Sequence, residues 1–135
     1  MSGVKRINPE SLRIPTKAYS QGIIIPLGEA ELMFVTGQLS QDIDGNVIAP
    51  GDTESQTRVV FSRIEEILRD GGMTMSNVIK LQIFMKDISD AKVVSAIRDE
   101  IFQDSKPVST LVEVTGFVKA DCMIEIEVTA YKGNS

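Results

Sequence analysis

Two carboxylates near the carboxyl end of the chain are the first candidates for chemistry. In the segment CMIEIEVTAY, residues 122–131, Glu125 and Glu127 alternate with apolar residues. This period of two predicts a strand that turns its apolar face to a core and both glutamates outward. Each glutamate is then either a solvated surface carboxylate or the wall of a pocket, where it could transfer protons or hold a water molecule. Periodicity alone leaves both alternatives open.

The amino-acid composition limits which other groups could take part in such chemistry. The sequence contains no histidine and a single cysteine, Cys122. It therefore excludes Ser-His-Asp and Cys-His catalysis, the commonest zinc sites, an internal disulfide and a thiolate metal cluster. Acid and base chemistry must fall to Asp, Glu, Lys or Tyr, or to water that they hold. Cys122 itself is expected to be a small buried hydrophobe.

Length and charge exclude further classes of function. The 135 residues, 42% of them hydrophobic, predict one globular domain over residues 1–135. A net charge of −5 is the wrong sign for binding phosphates, so nucleic acid is not expected as a main partner. The most apolar early stretch, residues 22–35, is broken by Pro26, Gly28 and Glu29 well short of a membrane span. We expect a cytoplasmic protein without a membrane partner.

The rest of the chain supplies the elements that must position these groups. Two apolar, β-branched runs, residues 20–28 and 31–40, flank a Pro/Gly/Glu break and predict an antiparallel hairpin. Apolar spacing further along predicts helices and strands, in the order helix 52–70, strand 77–87, helix 90–102, strand 109–117 and strand 122–131.

The first helix carries start and stop signals. Asp52 or Thr53 can cap its amino end, with Gln56 completing a capping box, and Gly71-Gly72 provides a left-handed stop. Two face assignments follow from periodicity. Arg63 is predicted on the solvent side of this helix, and Ile79 on the core side of the following strand.

These elements predict an α+β fold, with both helices on one face of a mixed or antiparallel sheet. The opposite face still carries apolar side chains, such as Phe84, Val112 and Val114. Either a second copy covers them in a closed ring, or the sheet stays open and half polar, as antiparallel sheets tolerate.

Six segments together resemble the RidA family, also called YjgF/YER057c/UK114, in the family's order and spacing. They cover nearly the whole chain. They are AYSQG (18–22), FVTGQL (34–39), ESQTRVVFSRIEEIL (54–68), VIKLQIFMKDISD (78–90), KPVSTLVEV (106–114) and IEIEV (124–128).

The resemblance implies a homotrimer of chorismate-mutase-like subunits, with a central barrel and small clefts between neighbouring subunits. It implies no metal and no organic cofactor, and small metabolites as ligands. The family activity it implies is deaminase-type hydrolysis of reactive enamines and imines, such as 2-aminoacrylate, to a keto acid and ammonia. In such enzymes a strand arginine holds the substrate carboxylate, while a glutamate and backbone groups hold the attacking water.

Carried over residue by residue, the resemblance places the water-holding glutamate at Glu125 and the cleft tyrosine at Tyr19. Both are expected to be catalytic. The small hydroxyl residue before the Gly-Gln pair is Thr36, and Gly37 beside it allows close approach of a ligand to the backbone. Ser95 stands where the family often has an asparagine, and it is expected to contact substrate.

The departure from the family is at the arginine. Where the family motif reads Pro-x-Arg, this chain reads Pro107-Val108-Ser109. A serine hydroxyl cannot supply the charged fork that matches a carboxylate, so Ser109 predicts an altered substrate preference, towards imines or enamines without a small carboxylate. Alternatively, a cation reaches the cleft from another backbone position, and the candidates are Lys106, Lys119 and Arg98. A second function also fits the sequence: a non-catalytic trimer that binds a metabolite or regulates a partner.

Overall fold

The computed structural model describes residues 3–133. Its elements follow the predicted order, with one additional short strand at the amino end. They are β1 (Lys5–Ile7), β2 (Gly22–Leu27), β3 (Ala30–Gln38), α1 (Thr53–Asp70), β4 (Val78–Met85), α2 (Ala91–Phe102), β5 (Val108–Glu113) and β6 (Ile124–Lys132), with short 3-10 turns at Met75–Asn77 and Ile88–Asp90.

The six strands form one mixed sheet in the order β1-β2-β3-β6-β4-β5. All neighbours are antiparallel except β4 and β5, which run parallel because the connection between them crosses over through α2. The hairpin β2–β3 forms as predicted. The predicted α+β class and mixed sheet are therefore confirmed. The strand β1 escaped prediction because three residues are too few to show an alternation.

Both helices pack on one face of the sheet and enclose the core. The inward side chains of β6, Ile124 and Ile126, are fully buried there, as are Ile64 and Ile67 of α1 and Ile97 of α2. The opposite face keeps large apolar groups at its surface, since Phe34 and Val112 are each 40% exposed. Within residues 3–133, no helix combines the length and hydropathy that crossing a membrane requires.

Two face assignments made from the pattern of apolar and charged residues are wrong. Arg63 is buried in the core side of α1, with 5% of its surface exposed, and does not face solvent. Ile79 is exposed and Val78 is buried in its place, because the pairing of β4 with β6 shifts register between Val78 and Lys80. Such a bulge reverses the faces of the residues on one side of it.

The amino end of α1 is capped by Asp52, whose carboxylate accepts a hydrogen bond from the Ser55 backbone N–H at 3.1 Å. Gln56 does not complete a capping box. Its side chain is fully buried, donates to the carbonyl oxygens of Ala49 (3.0 Å) and Asp121 (2.9 Å), and accepts from the Met123 N–H (2.7 Å). Gln56 thus fixes the segment that leads into β6, two residues before Glu125.

We expect Gln56→Leu to destabilise the protein by roughly 2 to 5 kcal/mol, because it leaves three backbone groups without their partner in a buried position. The measurement is urea unfolding followed by circular dichroism. Ser62→Ala, at an exposed position of the same helix, is the control and should change stability by less than about 0.5 kcal/mol. Equal stability of the two variants would contradict the structural role of Gln56.

Candidate functional site

A cavity of about 350 Å³ lies beside the carboxylate of Glu125. It brings together four of the residues that the sequence singled out, and three cations also reach it. Its lining includes Tyr19, Thr36, Gly37 and Glu125, together with Arg13, Lys17 and Lys119.

The floor of this cavity is built by a bulge in β3. Val35 pairs with Val128 and Gln38 with Ile126, so Thr36 and Gly37 together lie opposite one residue of β6. Bulges of this kind re-aim side chains and are frequent beside active sites. Here the bulge brings the Gly37 backbone up against the side chain of Glu125.

The contact between Gly37 and Glu125 leaves no room for a larger residue. A Cβ atom at position 37 would lie 2.9 Å from Cδ of Glu125 and 3.2 Å from its Oε2. The glycine therefore lets the carboxylate lie flat against the backbone of β3, which restricts where its oxygens can point.

Burial increases the proton affinity of this carboxylate. Removal of Glu125 from water raises the pKa of its carboxyl group above the ordinary value, and the negative charge of Glu127 raises the pKa further. Within the described residues, no side chain donates a hydrogen bond that would offset this effect. The two glutamates, equal by periodicity, therefore differ: Glu125 is half-buried in the cavity, whereas Glu127 is exposed.

Thr36 and Tyr19 are held to the cavity wall in different ways. The Thr36 hydroxyl donates a hydrogen bond of 2.6 Å to the carbonyl of Ser20, and its N–H donates to the carbonyl of Gln21 at 2.8 Å. These bonds join the bulge to the segment that carries Tyr19. Tyr19 is 55% exposed, so it borders the cavity from the solvent side.

Beneath the bulge lies a buried polar network that the sequence did not predict. Gln38 donates to Gln21 (2.8 Å) and to the Thr36 carbonyl (2.9 Å), and it accepts from Nε of Arg63 (3.2 Å). Arg63 also donates to the Gln41 carbonyl at 2.9 Å. Burial lowers the pKa of Arg63, and the negative charge of Glu66 offsets this effect only in part. The network holds the backbone of Thr36 and Gly37 from below.

Ser109 lies elsewhere, in a second cavity of about 690 Å³ between β5 and α2. Its hydroxyl accepts a hydrogen bond from Nη1 of Arg98 at 3.3 Å. Ser95 lies one turn before Arg98 on α2 and is half-buried. Arg98 and Ser109 therefore form one group, whereas Ser95, on the same side of α2 as Arg98, does not line this cavity.

The two groups cannot meet within one subunit. Glu125 pairs with Phe84 of β4 and shares its open face, whereas Ser109 pairs with Leu81 and shares its helix-covered face. The two positions are three residues apart along the strands and two strands apart across the sheet, about 10 Å in each direction. A single chain therefore presents the residues of the predicted site as two halves on opposite faces of the sheet.

Neither half has the composition of a metal centre. Across residues 3–133, no three acidic or thiol side chains converge closely enough to hold a metal ion. The one thiol, Cys122, is fully buried, and burial raises its pKa. The groups available for chemistry in the Glu125 cavity are the carboxylate, the hydroxyls of Tyr19 and Thr36, the cations Arg13, Lys17 and Lys119, and backbone amides.

Comparison with known proteins shows the family to which the chain belongs. The family model described as Endoribonuclease L-PSP matches residues 10–132. A RutC family protein of Pyrococcus abyssi is 35% identical over 118 residues, which are 87% of this chain and 89% of that protein. The chain belongs to the RidA/YjgF family. A second member, the 3-aminoacrylate deaminase RutC of Acinetobacter baylyi, is 32% identical over 93% of this chain and 95% of that one.

A solved structure shares the fold over nearly the whole chain. The crystal structure of TdcF of E. coli with bound serine superposes with a TM-score of 0.80, at 24% identity, covering 96% of this chain and 99% of that one. This likeness establishes the shared fold. In this RidA-family chain, Tyr19, Thr36, Gly37 and Glu125 line one cavity, and their roles are predictions.

Gly37→Ala tests the contact with Glu125. The added methyl group would displace the carboxylate, whose long side chain can move, so we expect a change of less than about 1 kcal/mol in stability. The pKa of Glu125, followed by carbon NMR, should shift towards the ordinary value as the carboxylate turns to solvent. An unchanged pKa would show that the glycine does not restrict the carboxylate.

The pH dependence of the Glu125 carboxyl group gives a second test. Its pKa is higher in the folded chain than in the unfolded chain, so its contribution to stability is full below the unfolded pKa and is lost as the pH rises through the folded pKa. Glu127→Gln removes the neighbouring charge and should lower the NMR midpoint of Glu125. Glu54→Gln, at an exposed position of α1, should leave that midpoint unchanged.

Proposed function

We propose that this chain is a RidA-type hydrolase that deaminates enamines or imines and releases ammonia. The observation that carries the proposal is the half-buried Glu125 carboxylate, held against Gly37 in a cavity bordered by Tyr19 and Thr36. The membership in a family that includes a 3-aminoacrylate deaminase supports the same chemistry.

The proposed mechanism uses Glu125 as the group that holds and deprotonates water. An enamine substrate first takes a proton from solvent at its β-carbon and becomes an iminium ion. Water, held by the Glu125 carboxylate, adds its oxygen to the iminium carbon and gives one proton to the carboxylate, which leaves a neutral carbinolamine. Glu125 then returns that proton to the nitrogen, the hydroxyl group gives its proton to solvent, the C–N bond breaks, and ammonia leaves with a carbonyl product. The raised pKa of Glu125 suits this role, because a stronger base removes the proton more readily.

Tyr19 and the backbone amides near Gly37 are proposed to orient the nitrogen that leaves and the water that attacks. The Tyr19 hydroxyl can donate or accept, so it can follow the change from imine to ammonia. The Thr36 hydroxyl already donates a hydrogen bond to the Ser20 carbonyl, so the proposed contribution of Thr36 is to shape the cavity wall.

We propose further that the working form is a homotrimer whose clefts lie between subunits. Glu125 and Ser109 face opposite sides of one sheet, so a site that uses both needs a second copy. The exposed Phe34 and Val112 on the open face supply apolar surface for such packing. The small metabolite bound to TdcF is consistent with ligands of this size.

The proposed substrate preference departs from that of relatives with an arginine at position 109. A hydroxyl in place of guanidinium forfeits a charge-assisted bond of about 1.5 to 3 kcal/mol, or at least tenfold in affinity for a carboxylate held at that point. The endoribonuclease in the family's description is not part of the proposal, since a net charge of −5 opposes binding of RNA phosphates.

The test of the proposal is ammonia release from a panel of imines and enamines generated in solution, including 2-aminoacrylate. Purified protein should accelerate hydrolysis, and Glu125→Gln should lower kcat by about 100-fold or more, since it removes a positioned base. Glu127→Gln is the matched control, on the same strand and exposed, and should stay within about threefold. An equal loss of kcat in both variants would show that activity depends on the negative charge of β6 in general and not on the Glu125 carboxylate.

The second candidate function, a non-catalytic metabolite-binding trimer, is favoured by one observation, the serine at position 109. It predicts a metabolite that raises the melting temperature through binding to the native state and is never consumed. Turnover of any imine that depends on Glu125 would exclude it.

A further inference from the structure

We infer that Arg63 of α1 is a positioning residue: through the side chain of Gln38, it fixes where Glu125 and Tyr19 lie relative to each other. Its part in hydrolysis rests on the proposed function, in which these two side chains act on one substrate. Arg63 is not among the residues that line the Glu125 cavity, so it acts only through its neighbours.

The burial of Arg63 is not explained by the needs of the core. The residue is 5% exposed, and none of the ion pairs within residues 3–133 includes it. Burial lowers its pKa, and Glu66 and Tyr19 offset this effect only in part. An arginine still remains charged at neutral pH, and a buried charge without an ion pair is unfavourable for folding. A methionine would fill similar space without that cost, so the guanidinium serves another purpose.

The guanidinium determines which way the Gln38 carboxamide faces. Arg63 has only donors, so its Nε meets Oε1 of Gln38, at 3.2 Å, and not the amide nitrogen. Nε2 of Gln38 is thereby directed to Oε1 of Gln21 (2.8 Å) and to the Thr36 carbonyl (2.9 Å). An apolar residue at position 63 removes this selection. A carboxamide that turned over would then present an oxygen to the Thr36 carbonyl, and the bond would be lost.

The two groups that Gln38 holds belong to the two sides of the cavity. Thr36 is part of the β3 bulge against which the Glu125 carboxylate packs. Gln21 ends the segment that carries Tyr19, and its carbonyl accepts a hydrogen bond from the Thr36 N–H at 2.8 Å. Because Gln38 donates to both, a change in its orientation alters the distance between the two proposed catalytic side chains.

A second bond ties the same region to α1. Nη1 of Arg63 donates to the Gln41 carbonyl at 2.9 Å, and both Gln38 and Gln41 line the cavity. A planar guanidinium keeps its two acceptors at a fixed spacing, which an ammonium on a flexible stem does not. The guanidinium also lies within electrostatic reach of Tyr19. Arg63 thus lies beneath the place where the two sides of the cavity meet.

The experiment measures kcat and KM on whichever imine of the panel wild type hydrolyses fastest. We expect Arg63→Met to lower kcat by about 10- to 100-fold and to keep KM within about threefold. Displaced catalytic groups slow the reaction but leave the contacts that bind substrate. Arg63→Lys keeps the charge and loses the fork, so it should fall between wild type and Arg63→Met. It also carries the comparison if Arg63→Met does not fold.

Two controls distinguish positioning from a general effect on charge or stability. Arg69→Met removes a positive charge from an exposed position of α1, and Ile97→Val disturbs the buried core away from Gln38. Both should keep kcat within about twofold of wild type. An unchanged kcat in Arg63→Met, or a loss that Ile97→Val reproduces at equal stability, would overturn the inference.

A double-mutant cycle tests whether Arg63 acts through Gln38. Gln38→Met should lower kcat about as much as Arg63→Met, and the variant with both changes should be no slower than the slower single variant. Losses that multiply in the double variant would overturn the inference, because they would show two independent effects.

Amide hydrogen exchange separates this inference from the proposed function. If no imine is hydrolysed, the hydrolase proposal fails, but the hold on the cavity wall is still measurable. In Arg63→Met the Thr36 N–H should exchange about tenfold faster or more, since its bond to Gln21 loosens. The Met73 N–H, which donates to the Leu68 carbonyl at 2.8 Å in the core, should keep its rate. Unchanged exchange at Thr36, or equal acceleration at both amides, would overturn the inference.

Discussion

The pairing of β6 between β3 and β4 is the constraint on which the other features depend. Its backbone hydrogen-bonds to both neighbours, so its side chains have only two directions available, one towards the helices and one away from them. Ile124 and Ile126 take the first and close the core, and Glu125 is thereby sent to the second. Packing of the core thus determines the face of the sheet on which the Glu125 carboxylate lies. A slip of one residue in register would bury the carboxylate and expose the isoleucines together.

The surroundings of β6 show how precisely this carboxylate is held. Gln56 fixes the chain just before the strand begins, and the bulge at Gly37 sets the surface against which Glu125 rests. Below the bulge, Gln38 and Arg63 provide a rigid polar support within an otherwise apolar interior. Buried polar networks of this kind specify one arrangement of the backbone, since a shifted arrangement would leave several groups unpaired.

The order of the main elements and the fold class could be read from the sequence, because alternation and helical spacing report which side chains are buried. The two wrong face assignments have different causes. Arg63 lies three residues after Val60 and four before Ile67, so its spacing already placed it in the apolar stripe, and its charge alone suggested the solvent side. The exposure of Ile79 follows from a bulge, which leaves no mark in the residue types. For the site, Glu125 and the three residues beside it, Tyr19, Thr36 and Gly37, were foreseeable by resemblance, whereas the meeting of Arg98 with Ser109 depends on how α2 lies on β5, which no local pattern encodes.

The position of β5 at the edge of the sheet has a consequence for handling the protein. Five of its six residues are exposed, and one side of its backbone has no partner strand within the described chain. An unpaired, β-branched edge next to an apolar sheet face is a template for irregular association. Single copies released from the proposed ring would therefore be prone to aggregate, and dilution or truncation that separates them would reduce solubility as well as site integrity. In the proposed ring, the contacts that complete the cleft would also keep the protein in solution.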